Sequence, residues 1–377
     1  MSKTLQDYAT LINDTIQSNE INHYITTDNM CQNLGGIDTF KNINIPQGKV
    51  RSFQKDDVLL SNIRLYFRKV YRAKQKGGCS SDVLVFRAKH IDSATLFAIL
   101  SSQIFTDYAC SGSQGSKMPR GNKTHMMDFK IPTINFTIAK IFNSIQNKIE
   151  NNHKINELLH KILELLYEQY FVRFDFLDEN NKPYQTSGGK MKFSKELNRL
   201  IPSGWSVRFL NHKIASTYQP KTISKTLLND SYSYSVYGGG GIIGRFTEYN
   251  HEQSEFIISC RGQCGISYLT LPKSWITGNA MVIRPTKSYT SKTYLYHTIK
   301  KYKLTNYITG SVQPQITRQN LSTMPILIPK RKTLNKWNNI SSLLWNLIHN
   351  NMQETQTLTA LRDFLLPLLL TQQVKPE

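Results

Sequence analysis

The 377-residue chain resembles itself at an offset of about 197 to 199 residues, and this repeat constrains its architecture more than any single motif. In the first half, Val58-Leu59-Leu60-Ser61 leads to Asp82-Val83-Leu84-Val85. In the second, Phe256-Ile257-Ile258-Ser259 leads to Ala280-Met281-Val282-Ile283. These are short apolar runs of strand type. Further on, Gly112-Ser113-Gln114-Gly115 precedes Ile131-Pro132, and Gly310-Ser311-Val312-Gln313-Pro314 precedes Ile328-Pro329. Each half then passes from turn-rich sequence into a long helical pattern. The length allows two domains with cores of their own, so the expected order is domain, long helix, domain, long helix.

Positions seven apart in the first helical segment read Ile138, Ile145, Asn152, Leu159 and Leu166, with Ile141, Ile155 and Ile162 on the other seam. The second reads Trp337, Leu344, Asn351, Leu358 and Leu365, with Ile340, Leu347, Leu361 and Leu368. This spacing predicts a/d heptads with Asn152 and Asn351 at the middle a positions. An asparagine buried there costs stability but fixes register when it meets a polar partner. The two helices are therefore expected to pack antiparallel, with Asn152 and Asn351 close across the seam. The polar, turn-rich stretch from Phe171 to Trp205 is expected to be irregular.

Charge narrows the partners. The net charge is +21 and the pI near 9.7, which points to a polyanion. From Phe256 to Gln353 there is no Asp or Glu, while Arg261, Lys273, Arg284, Lys287, Lys292, Lys300, Lys301, Lys303 and Arg318 lie within the stretch. Phosphates would relieve that self-repulsion, and Lys300, Lys301 and Lys303 are candidate phosphate contacts. An anionic membrane fits less well, because the basic residues sit among strand-like segments and not along one amphipathic helix. Nothing near the start reads as a signal peptide, and Phe364 to Leu370 is too short to span a bilayer. A soluble, cytoplasmic protein is expected. The five cysteines are scattered and lack histidines at ligand spacing, so free thiols are expected in place of disulfides or a zinc site.

Motifs that would make the chain an enzyme are missing or out of context. There is no G-x-x-x-x-G-K-[ST], H-E-x-x-H or G-x-S-x-G. Gly239, Gly241 and Gly244 match G-x-G-x-x-G, but Arg245 to Asn250 does not read as the helix a dinucleotide site needs. The run Tyr237-Gly238-Gly239-Gly240-Gly241 reads as a turn between strands. No two prolines are adjacent, so the Asn/Asp-Pro-Pro-aromatic element of amino-methyltransferases is absent.

Reading bases requires side chains with forked or paired hydrogen-bonding groups at groove edges. The two halves supply them at matching places: Ser116 to Lys123, with Lys117, Arg120 and Lys123, and Gln313 to Asn320, with Gln313, Gln315 and Arg318. Arg64, Arg68, Arg261 and Gln263 follow the repeated strand and are further candidates for lining a groove.

The run from Gln169 to Phe176, then Lys182-Pro183-Tyr184, Ser187 to Met191 and Ile201-Pro202-Ser203-Gly204-Trp205, resembles the central region of type I restriction–modification specificity subunits. Leu361 to Pro367 resembles the end of their second helical region. The two Gly-Ser turns, each followed by an Ile-Pro, resemble those closing their target-recognition domains. Residues 1–47 carry no family landmark. The resemblance implies two target-recognition domains, each reading half of a split duplex site in the major groove. It implies antiparallel helical regions that set the distance between half-sites and bind DNA methyltransferase (modification) subunits. Those subunits would bring S-adenosylmethionine, and a separate restriction (motor-nuclease) subunit would bring ATP and magnesium chemistry. This chain would hold no cofactor or metal and no catalytic residue.

The expected fold is α+β, with two target-recognition domains in a pseudo-two-fold arrangement separated by two long antiparallel, coiled-coil-like helical regions. The expected bounds are 1–132 for the first recognition domain, 133–199 for the first helical region and link, 200–330 for the second domain and 331–377 for the second helical region. The rival readings are a single-chain restriction or methylation enzyme and a free-standing DNA-binding regulator.

Overall fold

A computed structural model describes residues 3–38, 43–131, 134–229, 232–262, 264–310 and 313–368. Two compact units divide the chain. The first is Met1–Ile155 with Asn351–Glu377, and the second is Asn156–Asn350.

Strands β1 (Ala9–Ile12), β2 (Val58–Ser61), β3 (Val70–Arg72) and β4 (Val83–Ala88) form the main sheet of the first unit, ordered β1-β4-β2-β3 and antiparallel. Strands β5 (Ala215–Tyr218), β6 (Phe256–Ser259), β7 (Ser267–Leu269) and β8 (Ala280–Pro285) form the second, ordered β5-β8-β6-β7. The topology repeats strand for strand, so the landmarks read along the sequence mark equivalent elements.

Period-two packing explains why the repeated runs are apolar throughout. In the first unit Leu60, Leu84 and Phe86 face one core, against Leu96, Phe97 and Leu100 of helix α1 (Ser93–Ser101) and Phe142 of helix α2 (Phe136–Tyr167). Leu59, Val83 and Val85 face the other core, with Phe53, Tyr71 and Ile25. Successive strand side chains point to opposite faces, so a sheet covered on both faces needs an uninterrupted apolar run. The helix that follows the long strand also repeats. Asp92 caps α1 by accepting the Thr95 N–H at 2.9 Å. Ser291 caps α3 (Lys292–Lys300) by accepting from the Tyr294 N–H at 3.2 Å. Such caps satisfy amides that have no partner in the first turn.

Residues 1–47, featureless in sequence, supply part of this fold: β1, and Thr15–Gln17 and Tyr24–Ile25 of a second four-stranded sheet. The stretch after α2 is less irregular than expected. A π-turn at Glu168–Val172 ends the helix. Met191–Ser194 and Arg199–Pro202 then pair as an antiparallel hairpin.

α2 and α4 (Arg331–Leu368) run antiparallel where their contacts are described. In the first unit Gln146 Oε1 accepts from Arg362 Nη1 at 3.2 Å. Asn152 Nδ2 donates to Glu354 Oε2 at 2.8 Å and Thr355 Oγ1 at 3.3 Å, one turn beyond the half-buried Asn351. In the second unit Asn156 Nδ2 donates to the Ile348 carbonyl, and the His160 ring meets that of Trp345.

The buried seam differs from the predicted one by one residue. Ile141, Ile155, Ile162, Ile340, Leu347 and Leu361 are exposed. Phe142, Ile149, Leu163, Ser341, Trp345, Ile348, Arg362 and Leu366 are buried in their place. The a positions are kept in part: Ile138, Ile145, Asn152 and Trp337 are buried, the others half-buried. Phe142, Ile149, Leu163, Ser341, Ile348 and Arg362 lie four residues after an a position and not three, while Trp345 and Leu366 directly follow one.

Asn152 is fully buried, yet its Oδ1 has no partner. An unsatisfied buried acceptor costs about 1–3 kcal/mol. Asn152→Leu is therefore expected to stabilise the protein by about 1 kcal/mol, since it removes that acceptor and adds apolar burial. Thermal unfolding of the two proteins tests this; a lower melting temperature for the variant contradicts it.

All five cysteines are free, with Cys79 and Cys260 buried. Among the described residues, no helix is long and apolar enough to cross a membrane.

Candidate nucleic-acid interface

In the first unit the chain leaves β2 through Asn62 and Ile63 into Arg64, held left-handed at φ 50°. The Arg64 N–H donates to the Pro119 carbonyl at 2.9 Å, and its Nη2 donates to the Lys117 carbonyl at 3.4 Å. Gln114 and Arg120 exchange both backbone hydrogen bonds, at 2.9 and 2.8 Å, and Ile63 bridges Arg120. The fold therefore joins the loop after β2 to the segment Gln114–Arg120, and brings together Arg64, Lys117 and Arg120. The exposed Arg120 pairs with Asp82 at 2.9 Å, which aims its guanidinium. Lys123 is exposed at the first position of the short helix Lys123–Met127.

Arg68 departs from this cluster. Its Nη2 donates to the Ser101 carbonyl at 2.9 Å, at the carbonyl end of α1. A cation there completes the helix terminus. Burial, with Arg362 nearby, lowers its pKa below the usual arginine range. This is a bracing position.

The second unit repeats the junction. Arg261 follows β6 and bridges Gln315, and the Ile316 N–H donates to the Cys260 carbonyl at 3.0 Å. Gln313, Gln315 and Arg318 are exposed; Arg318 opens a short helix capped by Thr317, whose side chain accepts from the Asn320 N–H. Gln263 lies outside the described residues. Exposed groups therefore gather where the loop after β2 or β6 meets the segment preceding the long helix.

The candidate phosphate lysines are not alike. Lys300 Nζ lies 2.5 Å from Glu164 Oε1, and Lys301 Nζ lies 3.4 Å from Glu168 Oε2. The carboxylate-free stretch thus finds two of its counter-charges at the end of α2 and in the turn that follows it, a pairing that linear sequence does not reveal. Lys287 and Lys303 are exposed.

A repeated ion pair escaped the sequence reading. The buried Asp57, just before β2, accepts a bidentate pair from Arg87 of β4, both bonds at 2.8 Å. Glu255, just before β6, accepts from Arg284 of β8 in the same way, and Arg284 Nη2 also reaches Tyr218 Oη at 3.1 Å. The Glu255 hydrogen bond raises the Arg284 pKa. Its signal was present: a carboxylate before one repeated strand and an arginine at the end of the other, at the repeat offset. Beside it Tyr218 Oη lies 2.9 Å from His251 Nε2, and burial lowers the His251 pKa. These groups hold the end of each sheet that lies away from the loop after β2 or β6.

Comparison with known proteins shows what the chain is similar to. The family model of the type I restriction modification DNA specificity domain matches residues 202–360. The specificity subunit of the MjaIX type I restriction enzyme of Methanocaldococcus jannaschii is 20% identical over 319 residues, spanning 75% of this chain and 69% of that protein. The chain is thus similar to type I restriction–modification specificity subunits. The crystal structure of the S subunit of a type I restriction–modification system from M. genitalium shares the fold, with a TM-score of 0.63 at 15% identity over 98% of this chain and 96% of that one. This similarity supports sequence-specific DNA recognition and favours neither a single-chain enzyme nor a free-standing regulator.

Proposed function

We propose that each recognition domain, residues 1–132 and 200–330, reads one half of a split duplex site through the junction described above. The contacts come from Arg64, Lys117, Arg120 and Lys123 in the first, and from Arg261, Gln263, Gln313, Gln315 and Arg318 in the second. The observation that carries this reading is the recurrence of exposed Arg, Lys and Gln at one topological position in both units. Base edges are read by such forked groups, while phosphates respond to charge alone. The domains differ in side chain at equivalent places, so the site they read is asymmetric.

The helical regions, 133–199 and 331–377, bind DNA methyltransferase subunits in this reading. In the second unit α2 exposes Leu158, Ile162 and Leu165, and α4 exposes Ile340, Leu343 and Leu347. In the first unit α2 exposes Ile141 and Ile155, and α4 exposes Leu361 and Phe364. Apolar rows at three- and four-residue spacing, left uncovered in the isolated chain, suit helices of a partner. The methyltransferase would bring S-adenosylmethionine, and a motor-nuclease subunit would bring ATP and magnesium, all in the cytoplasm. In this reading the chain itself brings none of them.

Arg318→Ala is expected to cost about 1–3 kcal/mol on the preferred site and less on random duplex, whereas loss of a phosphate-contacting lysine weakens both alike. Fluorescence anisotropy on the two duplexes separates the cases; equal losses would place Arg318 on a phosphate or in the bracing of its turn. The whole reading is tested by mapping methylated adenines in host cells with and without this chain. A split motif with a fixed spacer is expected, lost when the chain is removed. Methylation unchanged by the removal contradicts it.

A further inference from the structure

The second unit carries a hairpin that its repeat partner lacks. In the first unit Tyr24–Ile25 runs parallel to Gly77–Cys79 and forms the edge of its sheet. The equivalent pair in the second unit is Val236–Tyr237 beside Trp275–Ile276. There the chain turns at Gly239-Gly240 and returns as Gly241–Phe246, which covers the edge. Segment 225–229 lies along the returning strand: Leu228 packs on Gly244, and the Asn229 N–H donates to the Arg245 carbonyl at 3.0 Å.

Three observations give this hairpin a partner. Its tip reaches the proposed reading junction, because a Cβ on Gly239 would lie 3.0 Å from the Arg261 carbonyl oxygen. Its surface is apolar where water should favour polar groups: Ile242 is 46% exposed, Ile243 36% and the flanking Leu227 54%. A single exposed isoleucine needs no explanation, but two on the hairpin with Leu227 on the segment beside it mark a contact surface. The surroundings are basic. Lys221, Lys225 and Arg261 are exposed, and from Ser206 to Thr247 the sequence holds one carboxylate, Asp230.

We propose that the hairpin Tyr234–Phe246 is a second DNA-contacting element of this unit. Its tip backbone lies against the phosphate strand beside Arg261, and Ile242 packs on a thymine methyl group in the groove. A protein partner would leave the surrounding cations unanswered, whereas duplex DNA answers both the charge and the apolar side chain. The assignment rests on the recognition reading above. It adds an element that reads only one half-site, which suits two units that share a core and differ here.

Gly240 provides a clean probe. A Cβ there meets nothing within 4 Å, and its backbone is not left-handed. Gly240→Asp therefore changes only what approaches the tip. On a mixed-sequence 40-base-pair duplex at low salt, Gly240→Asp is expected to bind about tenfold more weakly or worse, while Gly240→Ala, which adds no charge, loses less than Gly240→Asp. Thermal unfolding shows whether both variants are folded. In selection from a randomised duplex pool, Ile242→Asn is expected to lose the preference for thymine at one position of one half-site and to leave the other half-site intact. Unweakened binding by Gly240→Asp, or an unchanged selected motif with Ile242→Asn, overturns the proposal while the recognition reading stands. If the unmodified chain binds no duplex at all, the recognition reading itself fails and takes the hairpin with it.

Discussion

Trp337→Ala is expected to destabilise the second unit by about 3–5 kcal/mol, the range for removing a large aromatic side chain from a packed core. Trp337 is 1% exposed and stands edge-on to Tyr167 at 5.9 Å, Phe171 at 5.5 Å and His297 at 5.3 Å. Phe171 in turn meets Trp205 and Tyr294, and Phe176 stacks on Trp205 while Phe174 meets it edge-on. The run from Gln169 to Phe176, whose resemblance to the family was the most specific, thus supplies an aromatic core and not a DNA contact. For a unit of this size the loss corresponds to a fall in melting temperature of about 6–20 °C. Calorimetry reads it directly. A shift of less than about 3 °C would show that the cluster closes around the gap.

The second large effect is acid lability in the same unit. Burial, with Lys300, His160 and Lys301 adding positive charge nearby, pushes His297 down to about 3 from its ordinary 6.5. Burial, with Lys292 and His160, lowers His349 to about 4. Both rings are neutral in the folded chain and take up protons when it unfolds. Their contribution is therefore complete above pH 6.5 and is lost as pH falls towards 4 and then 3. At pH 5 each has lost about 2 kcal/mol, at about 1.4 kcal/mol per pH unit. The melting temperature of the second unit should fall steadily from pH 6.5 to 4, and His297→Phe should flatten that fall. A melting temperature independent of pH across this window would contradict the burial of both rings.

How much of this was legible in sequence depends on what each feature requires. The repeat was legible because a sheet covered on both faces writes its strands as uninterrupted apolar runs, as in Val58–Ser61 and Phe256–Ser259. The long helices were legible as helices, but their seam was not. Isoleucine or leucine stands at Ile141 and Ile340 next to Phe142 and Ser341, and only packing chooses between neighbours. A buried Ser341 or Arg362 gives no hydrophobic signal at all. The proximity within each junction follows from the repeat, since turn-rich segments with Arg and Gln recur at its offset and meet the loop after β2 or β6. Individual roles were less legible: Arg68 turned to a helix terminus, and Lys300 and Lys301 met carboxylates far away in sequence. Such pairings depend on tertiary proximity, which periodicity does not encode. Residues 1–47 had no motif because their short strands, such as Ala9–Ile12, are specified by the neighbours they pair with.

The central claim is that this chain alone selects DNA by sequence, and selection from a randomised duplex pool with the purified chain tests it most directly. The account predicts enrichment of a motif in two parts separated by a fixed run of unselected positions, with enrichment in one part reduced by Arg318→Ala. Recovery of the pool without any enriched motif, at salt concentrations where the chain binds DNA, would contradict it.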